Sequence, residues 1–554
     1  MRYFVLFSML CTWAVLMPTS ASASRADYAF MAGSFAVVRG DDRRAYDLLR
    51  DIDEDIIRAQ PLLARRALQA MVRYGDMAAA TRLGDHLWRE EQIQSDLFLL
   101  HIARRLSQGD DLDPWPSAVS TDSHLWQIIA AWHALEREDT ATAMAFADRA
   151  GDSFFALAHR VMIASMAEQP VPQAFIDTLV DEAINVDEQY LPLVVAAMIQ
   201  HGQTDRARET IRRVREAFAP YSWQYKMAHF LSDSLEQRDS ISFLIDNPRQ
   251  GLAHALAQGA SLWRSVGQSP RALLAARVAS YLAPNTPHHI YITGQTLADL
   301  GSYHLAVDAF SSLERASFQF LPSRFDLIDV LLTTDRDDDA MRIIDGLLND
   351  EPDPYTLWQI ANALAVHGED KQALELYDRA QEMQDDITDN WSFLYYRGAT
   401  LHRLDMWDRA LQDFSAAVKL NQNDAELLNY VGYSLLERLI EIELGGDLVK
   451  RAFELAPEDP FIADSVGWYY YLTEQYDKAI EYIEFSVTQL PYDPTVNDHL
   501  GDAYWRAGRV REAAYQWQRA INNSDDPAFI ETVIEKLDEG LGAHIIFSTE
   551  SQEI

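Results

Sequence analysis

Cysteine occurs once in the 554 residues, at Cys11, which is too few for a disulfide framework. The short patterns of common chemistries are missing too. There is no GxxxxGK[ST] phosphate loop, no HExxH zinc helix, no GxSxG nucleophile elbow and no GxGxxG after a strand. Carboxylates are so abundant that pairing any two as an acid/base couple carries no information. His288-His289 is the only adjacent histidine pair; it follows Pro287 at a helix start, which predicts a solvated turn rather than a metal site. The acidic runs Asp335 to Asp339 and Asp51 to Asp55 lack the calcium-loop spacing with its glycine and closing glutamate, and are expected as solvated turns and helix starts. The sequence therefore offers no catalytic set, no metal ligands and no cofactor site.

Positive charge is also scarce. Against 85 acidic residues stand 47 lysines and arginines, a formal net charge of −38. Such a body repels nucleic acid and anionic lipid headgroups, and draws in basic partners at a salt-dependent rate.

Only one apolar run is long enough to suggest a membrane or the export machinery. Met1 to Ala23 reads MRYFVLFSMLCTWAVLMPTSASA, with Arg2, an apolar stretch from Tyr3 to Met17, Pro18, and a small-residue end at Ala21-Ser22-Ala23. This predicts a signal peptide over 1–23, and a periplasmic or secreted mature chain without cysteine. The run is shorter than the ~20 residues that span a bilayer. Leu10 stands before Cys11 where a lipoprotein signal resembles a small residue, which argues against a lipid anchor; peripheral membrane association remains compatible. Further along, loop formers cluster at 109–123 and 232–251, and the second cluster is expected to separate two arms.

What the chain does have is an internal repeat. Gly398, Gly432, Gly467 and Gly501 are separated by 34, 35 and 34 residues. Ala410, Ala479 and Ala513 follow three of these glycines. Then come a bulky residue (Phe414, Ile483, Trp517) and a small one (Ala417, Ser486, Ala520), at spacings of four and three that share one helical face. Small residues let two helices approach and the bulky one fills the space beside them, so each unit is an antiparallel helix pair. The second unit carries one extra residue near Gly445-Gly446.

This pattern resembles the tetratricopeptide repeat (TPR), a 34-residue helix-turn-helix, and His499-Leu500-Gly501-Asp502-Ala503-Tyr504 with Gly508, Ala513, Trp517 and Ala520 comes close to a full match. The resemblance implies an all-α, right-handed α-solenoid of TPR helix pairs with a C-terminal capping helix. Repeat starts fall near 253, 287, 321, 354, 391, 425, 460 and 494, giving eight units over 253–527. Degenerate TPR-like pairs, marked by Gly33, Gly40, Ala45, Gly75, Ala80, Gly202 and Ala207, occupy 24–250. Asp526 before Pro527 starts a capping helix over 528–540, with a tail at 541–554.

The resemblance further implies that set positions of each first helix face a concave groove. On this sequence they are Tyr395, Asn429, Tyr433, Asp464, Trp468, Tyr471, Asp498, Asp502 and Trp505. The family's carboxylate clamp needs lysine and asparagine there; only Asn429 fits. An acidic, aromatic groove instead suits an extended or basic segment of a protein partner, and the expected function is a non-catalytic exported scaffold. The alternative is an accessory that binds glycan or peptidoglycan for an envelope polymer or cell-wall enzyme, since aromatic platforms serve sugars too. One fold hosts many functions, so the partner stays open.

Overall fold

The computed structural model describes residues 21–39, 41–50, 61–91, 95–108, 124–182, 191–219, 222–236 and 245–542. The expected leader up to residue 20, Cys11, Gly40, the Asp51 to Asp55 run, the 109–123 break, residues 237–244 of the 232–251 break and the tail beyond 542 lie outside them. Ala21 to Ala23 belong to a helix, Ala21–Val38. Every regular element among the described residues is helical. The chain divides into two compact units, Met1–Ala363 and Leu364–Ile554, and the 232–251 break lies inside the first.

First helices begin at Pro248, Pro287, Phe320, Pro354, Trp391, Ala425, Pro460 and Pro494. In the second unit the helices used below are α1 (Asp370–Met383), α2 (Trp391–Arg403), α3 (Trp407–Leu420), α4 (Ala425–Glu437), α5 (Ile442–Leu455), α6 (Pro460–Leu472), α7 (Tyr476–Gln489), α8 (Pro494–Arg506), α9 (Val510–Asn523) and α10 (Pro527–Glu539). Their starts are written in the sequence. Asp424, Asp459, Asp493 and Asp526 each turn a side-chain oxygen onto an N–H of the first turn, satisfying a donor that the helix leaves without a partner. Pro460, Pro494 and Pro527 occupy first positions, where a missing N–H costs nothing. Between the helices of each pair a residue turns left-handed, Asp405, Leu439, Glu474 and Gly508 with φ of 58°, 58°, 58° and 79°, and the α4–α5 turn has a second at Glu441, φ 46°. Only Gly508 is a glycine, so packing of the pair imposes the turn at the others.

The repeated glycines have a steric purpose. A Cβ at Gly398 would lie 2.7 Å from Phe414, one at Gly467 2.3 Å from Ile483, and one at Gly501 2.4 Å from Trp517. Each glycine opens the slot that receives the bulky residue of the following helix. In the unit with the extra residue the slot takes Val449, and the helices approach until a Cβ at Gly432 would sit 2.9 Å from the backbone oxygen of Gly445. The slot fillers Phe414, Ile483 and Trp517 are fully buried. Gly501→Leu is therefore expected to destabilise the second unit by about 1–3 kcal/mol, the usual cost of overpacking. A denaturant midpoint equal to the parent's would show that the slot is not rigid.

The Pro287 helix corrects one expectation. His289 is 1% exposed and His288 half-buried, so the pair is not a solvated turn. Pro287 opens the helix one residue earlier, and its first turn packs against the Pro248–Ser265 helix, with His254 5.6 Å from His288 between ring centres.

Candidate functional site

The nine residues singled out above lie on the first helices α2, α4, α6 and α8, and the second unit gathers them into three groups. In the first, Tyr395 is buried, its ring edge-on to Tyr430 at 5.5 Å and its hydroxyl 3.4 Å from Glu426. Asn429, one repeat on, is half-buried with its side-chain oxygen enclosed and without a partner.

The second group surrounds His499. Its ring stacks on Trp468 at 4.1 Å, and Trp468 stacks in turn on Tyr471 at 4.6 Å, a three-ring pile that Tyr433 approaches at 6.3 Å. Asp464 lies 2.8 Å from the imidazole Nδ1 through one oxygen, while its other oxygen is buried and unpartnered. Burial opposes a charge on His499, but Asp464, aided by Asp498 and Asp502, overrides it and holds the imidazole above its ordinary value.

The third group lies under α10. Lys536 donates to Asp498 at 2.7 Å and to both oxygens of Asp502 at 2.9 and 3.1 Å. Trp517 donates its indole N–H to Asp502 at 2.9 Å. Burial, reinforced by Asp498, pushes the Asp502 carboxyl up to about 6 despite these donors. Trp505 lies 5.5 Å from Trp517, and its ring passes over Gly540, where a Cβ would come within 2.1 Å of it. The two predicted acids of this group are thus buried and already paired within the chain, because the capping helix supplies the lysine that the first helices lack.

Three important residues were absent from the sequence-based set. His499 sits one place beyond the expected position, and Trp517 was assigned only to packing. Lys536 had a visible signal: it is the single basic residue of a helix reading PAFIETVIEKLDE. Chemically, the arrangement pairs the Lys536 ammonium with buried carboxylates beside stacked aromatic faces. Elsewhere, a cavity of about 410 Å³ in the first unit is lined by Lys226, Phe230, Arg315 and Phe320, and contains none of the nine residues. Its cations are paired with carboxylates, Lys226 with Asp353 and Arg315 with Asp350. Among the described residues no group of three or more histidine, cysteine or acidic side chains is placed to hold a metal, and no helix is long and apolar enough to cross a membrane.

Consecutive helix pairs, glycine slots and a capped end define an α-solenoid of short helical repeats. Its repeats are similar to those of tetratricopeptide repeat proteins. No family model matches it. A TPR repeat-containing protein of Pseudomonas aeruginosa, PA4667, is 27% identical over 183 residues, covering 33% of this chain and 31% of that protein. A TPR repeat-containing protein of Bacillus subtilis, YpiA, is 22% identical over 268 residues, 48% of this chain and 62% of that one. The chain thus spans less than two thirds of either relative. Among solved structures, MamA from residue 41 to its end, of Desulfovibrio magneticus, shares 22% identity with a TM-score of 0.28, covering 31% of this chain and 97% of that one. YrrB, described as a TPR protein with an unusual peptide-binding site, shares 19% with a TM-score of 0.28, covering 35% and 97%.

Proposed function

We propose that this protein is a non-catalytic TPR scaffold of the cell envelope, exported by the Met1–Ala23 leader, that holds a segment of a protein partner on the acidic and aromatic face of α4, α6 and α8. The observation that carries the reading is convergence. Asp464, Asp498 and Asp502 share one face with the Trp468, Tyr471 and His499 stack, and two of the three carboxylates keep an oxygen without a donor. Buried polar atoms are normally satisfied, so such oxygens favour a ligand that brings donors. The glycan-accessory reading draws on the same aromatic stack but leaves the carboxylates unexplained.

Cross-linking in intact envelopes followed by titration of the captured partner tests this. Trp468→Ala is expected to weaken binding by ~2 kcal/mol or more, the size of a hot-spot loss, while the helical signal is retained. Trp517→Ala should lose stability first, because Trp517 fills the Gly501 slot. Unchanged affinity in the Trp468 variant moves the site off this face, and capture of purified glycan in place of peptide favours the accessory role.

A further inference from the structure

The capping helix makes an imperfect match to the surface beneath it. α10 carries Glu531, Glu535, Asp538 and Glu539 against one lysine, yet it lies over a face built from Asp498 and Asp502. Its apolar hold is slight: Val533 is its one fully buried side chain, Phe529 and Leu537 are partly buried against the core, and Ile534 is 42% exposed. The other attachments are polar, the Lys536 clamp and an Arg506 bond to the backbone oxygen of Gly542 at 2.7 Å. Even the clamp is incomplete. An ammonium has three donors, and they go to one oxygen of Asp498 and both of Asp502; the second oxygen of Asp498 is buried with no donor. A guanidinium has five donors in a planar fork and can serve all four oxygens.

Resting on the reading of this face as a protein-binding surface, we propose that α10 is a resident, displaceable occupant of the Asp498–Asp502 site. The incoming ligand is an amphipathic helix of a protein partner that places an arginine where α10 places Lys536. Such a helix supplies a donor to the last oxygen of Asp498 and, without the four exposed acids of α10, adds less negative charge around the site. Displacement also uncovers Trp505, which the end of α10 now covers at Gly540. The site therefore opens when a better-matched helix arrives and is closed otherwise, which protects buried carboxylates and an aromatic ring from nonspecific contacts.

The test uses the full chain and a labelled 15-residue peptide with the sequence of residues 526–540 carrying Glu531→Gln, Glu535→Gln, Asp538→Asn, Glu539→Gln and Lys536→Arg. The peptide is expected to bind, to bind about tenfold more weakly with lysine restored at its arginine, and to raise amide exchange across 527–539 of the chain. Lys536→Met in the chain removes the resident clamp and should tighten peptide binding at least tenfold. Asp498→Asn with Asp502→Asn should weaken it by a similar factor. If Lys536→Met prevents folding, Arg506→Met releases the Gly542 anchor without touching the clamp and should tighten binding in the same direction. No binding, equal affinity in the clamp-free chain, or binding with exchange at 527–539 unchanged overturns the proposal. Loss of partner affinity in Trp468→Ala, measured separately, would leave the broader function standing in each case.

Discussion

Lowering the pH from 7.5 to 5 is expected to melt the first unit while the second gains stability. Four histidines are packed together in the first unit: His159 lies 6.1 Å from His254, which lies 5.6 Å from His288 and 6.3 Å from His289. The neutral form of His159 is fixed by its partners. Trp132 donates to its Nδ1 at 2.9 Å, so the proton sits on Nε2 and goes to the side-chain oxygen of Gln258 at 2.9 Å. A second proton would set two donors against each other at Trp132. His289 is buried, and the backbone of Ala279 and Ala283, which favours its charged form, is outweighed by burial. Burial pushes His159 and His288 down to about 4 and His289 to about 3, and drives His254 well below its ordinary value, with the neighbouring histidines adding to the effect at His254 and His289.

The sign follows from comparing proton uptake in the two states. An unfolded histidine takes up its proton near pH 6.5, and the folded ones do so only far below. Stability is therefore complete above 6.5 and falls on acidification, by about 1.4 kcal/mol per pH unit for each histidine. At pH 5 that is about 2 kcal/mol per ring and on the order of 6 kcal/mol for His159, His288 and His289, with His254 acting in the same direction, against the ~5–15 kcal/mol that holds a domain together. In the second unit His499 and Asp502 both bind protons more tightly folded than unfolded. His499 contributes stability below its raised value that is lost as pH rises through it. Asp502 is relieved of an unfavourable buried charge as pH falls through about 6. Calorimetry at pH 7.5, 6 and 5 should show one transition moving down and another holding or rising. His289→Leu should flatten the acid slope of the lower one by about a quarter. Two transitions that shift together would rule out this assignment.

The contrast between these histidines and the repeat shows where sequence reasoning works. The glycine, the alanine twelve places on and the bulky residue sixteen places on lie within one helix pair, so their spacing encodes the contact that Gly501 makes with Trp517. Aspartates before helix starts are local for the same reason. His288 and His289 depend on partners far away in the chain: their environment comes from His254 in another helix and, through it, from His159. The acids of the proposed site are legible because their positions recur; their partners are not. His499 reaches Asp464 across one repeat boundary, and Lys536 reaches Asp498 and Asp502 from a helix outside the repeat register. Periodicity locates a face; charge pairing across it depends on side-chain direction, which the spacing leaves open.

The same limit hides the ion pair with the largest expected single-residue effect. Arg397 on α2 and Asp413 on α3 form a two-pronged pair, Nε at 2.7 Å and a terminal nitrogen at 2.8 Å, with side chains only 7% and 9% exposed. Gln381 of α1 accepts from the guanidinium, and the ring of Phe393 lies 5.2 Å from its carbon. Asp378 is 3.8 Å away but is closer to Arg409, at 2.7 Å, so it is a weak substitute for Asp413. Asp413→Ala leaves a buried guanidinium that cannot lose its proton, and breaking a buried pair in this way costs about 3–5 kcal/mol. Arg397→Met leaves a buried carboxylate without its two-pronged partner and is also expected to destabilise the unit. The double variant Arg397→Met, Asp413→Ala should recover much of that penalty, because both buried charges are removed together. Urea midpoints for the four proteins of this cycle, at pH 7.5, measure the coupling. A penalty for Asp413→Ala below about 1 kcal/mol, the size seen for exposed pairs, would mean that water reaches Arg397 and that α2 and α3 are held by the glycine slot alone.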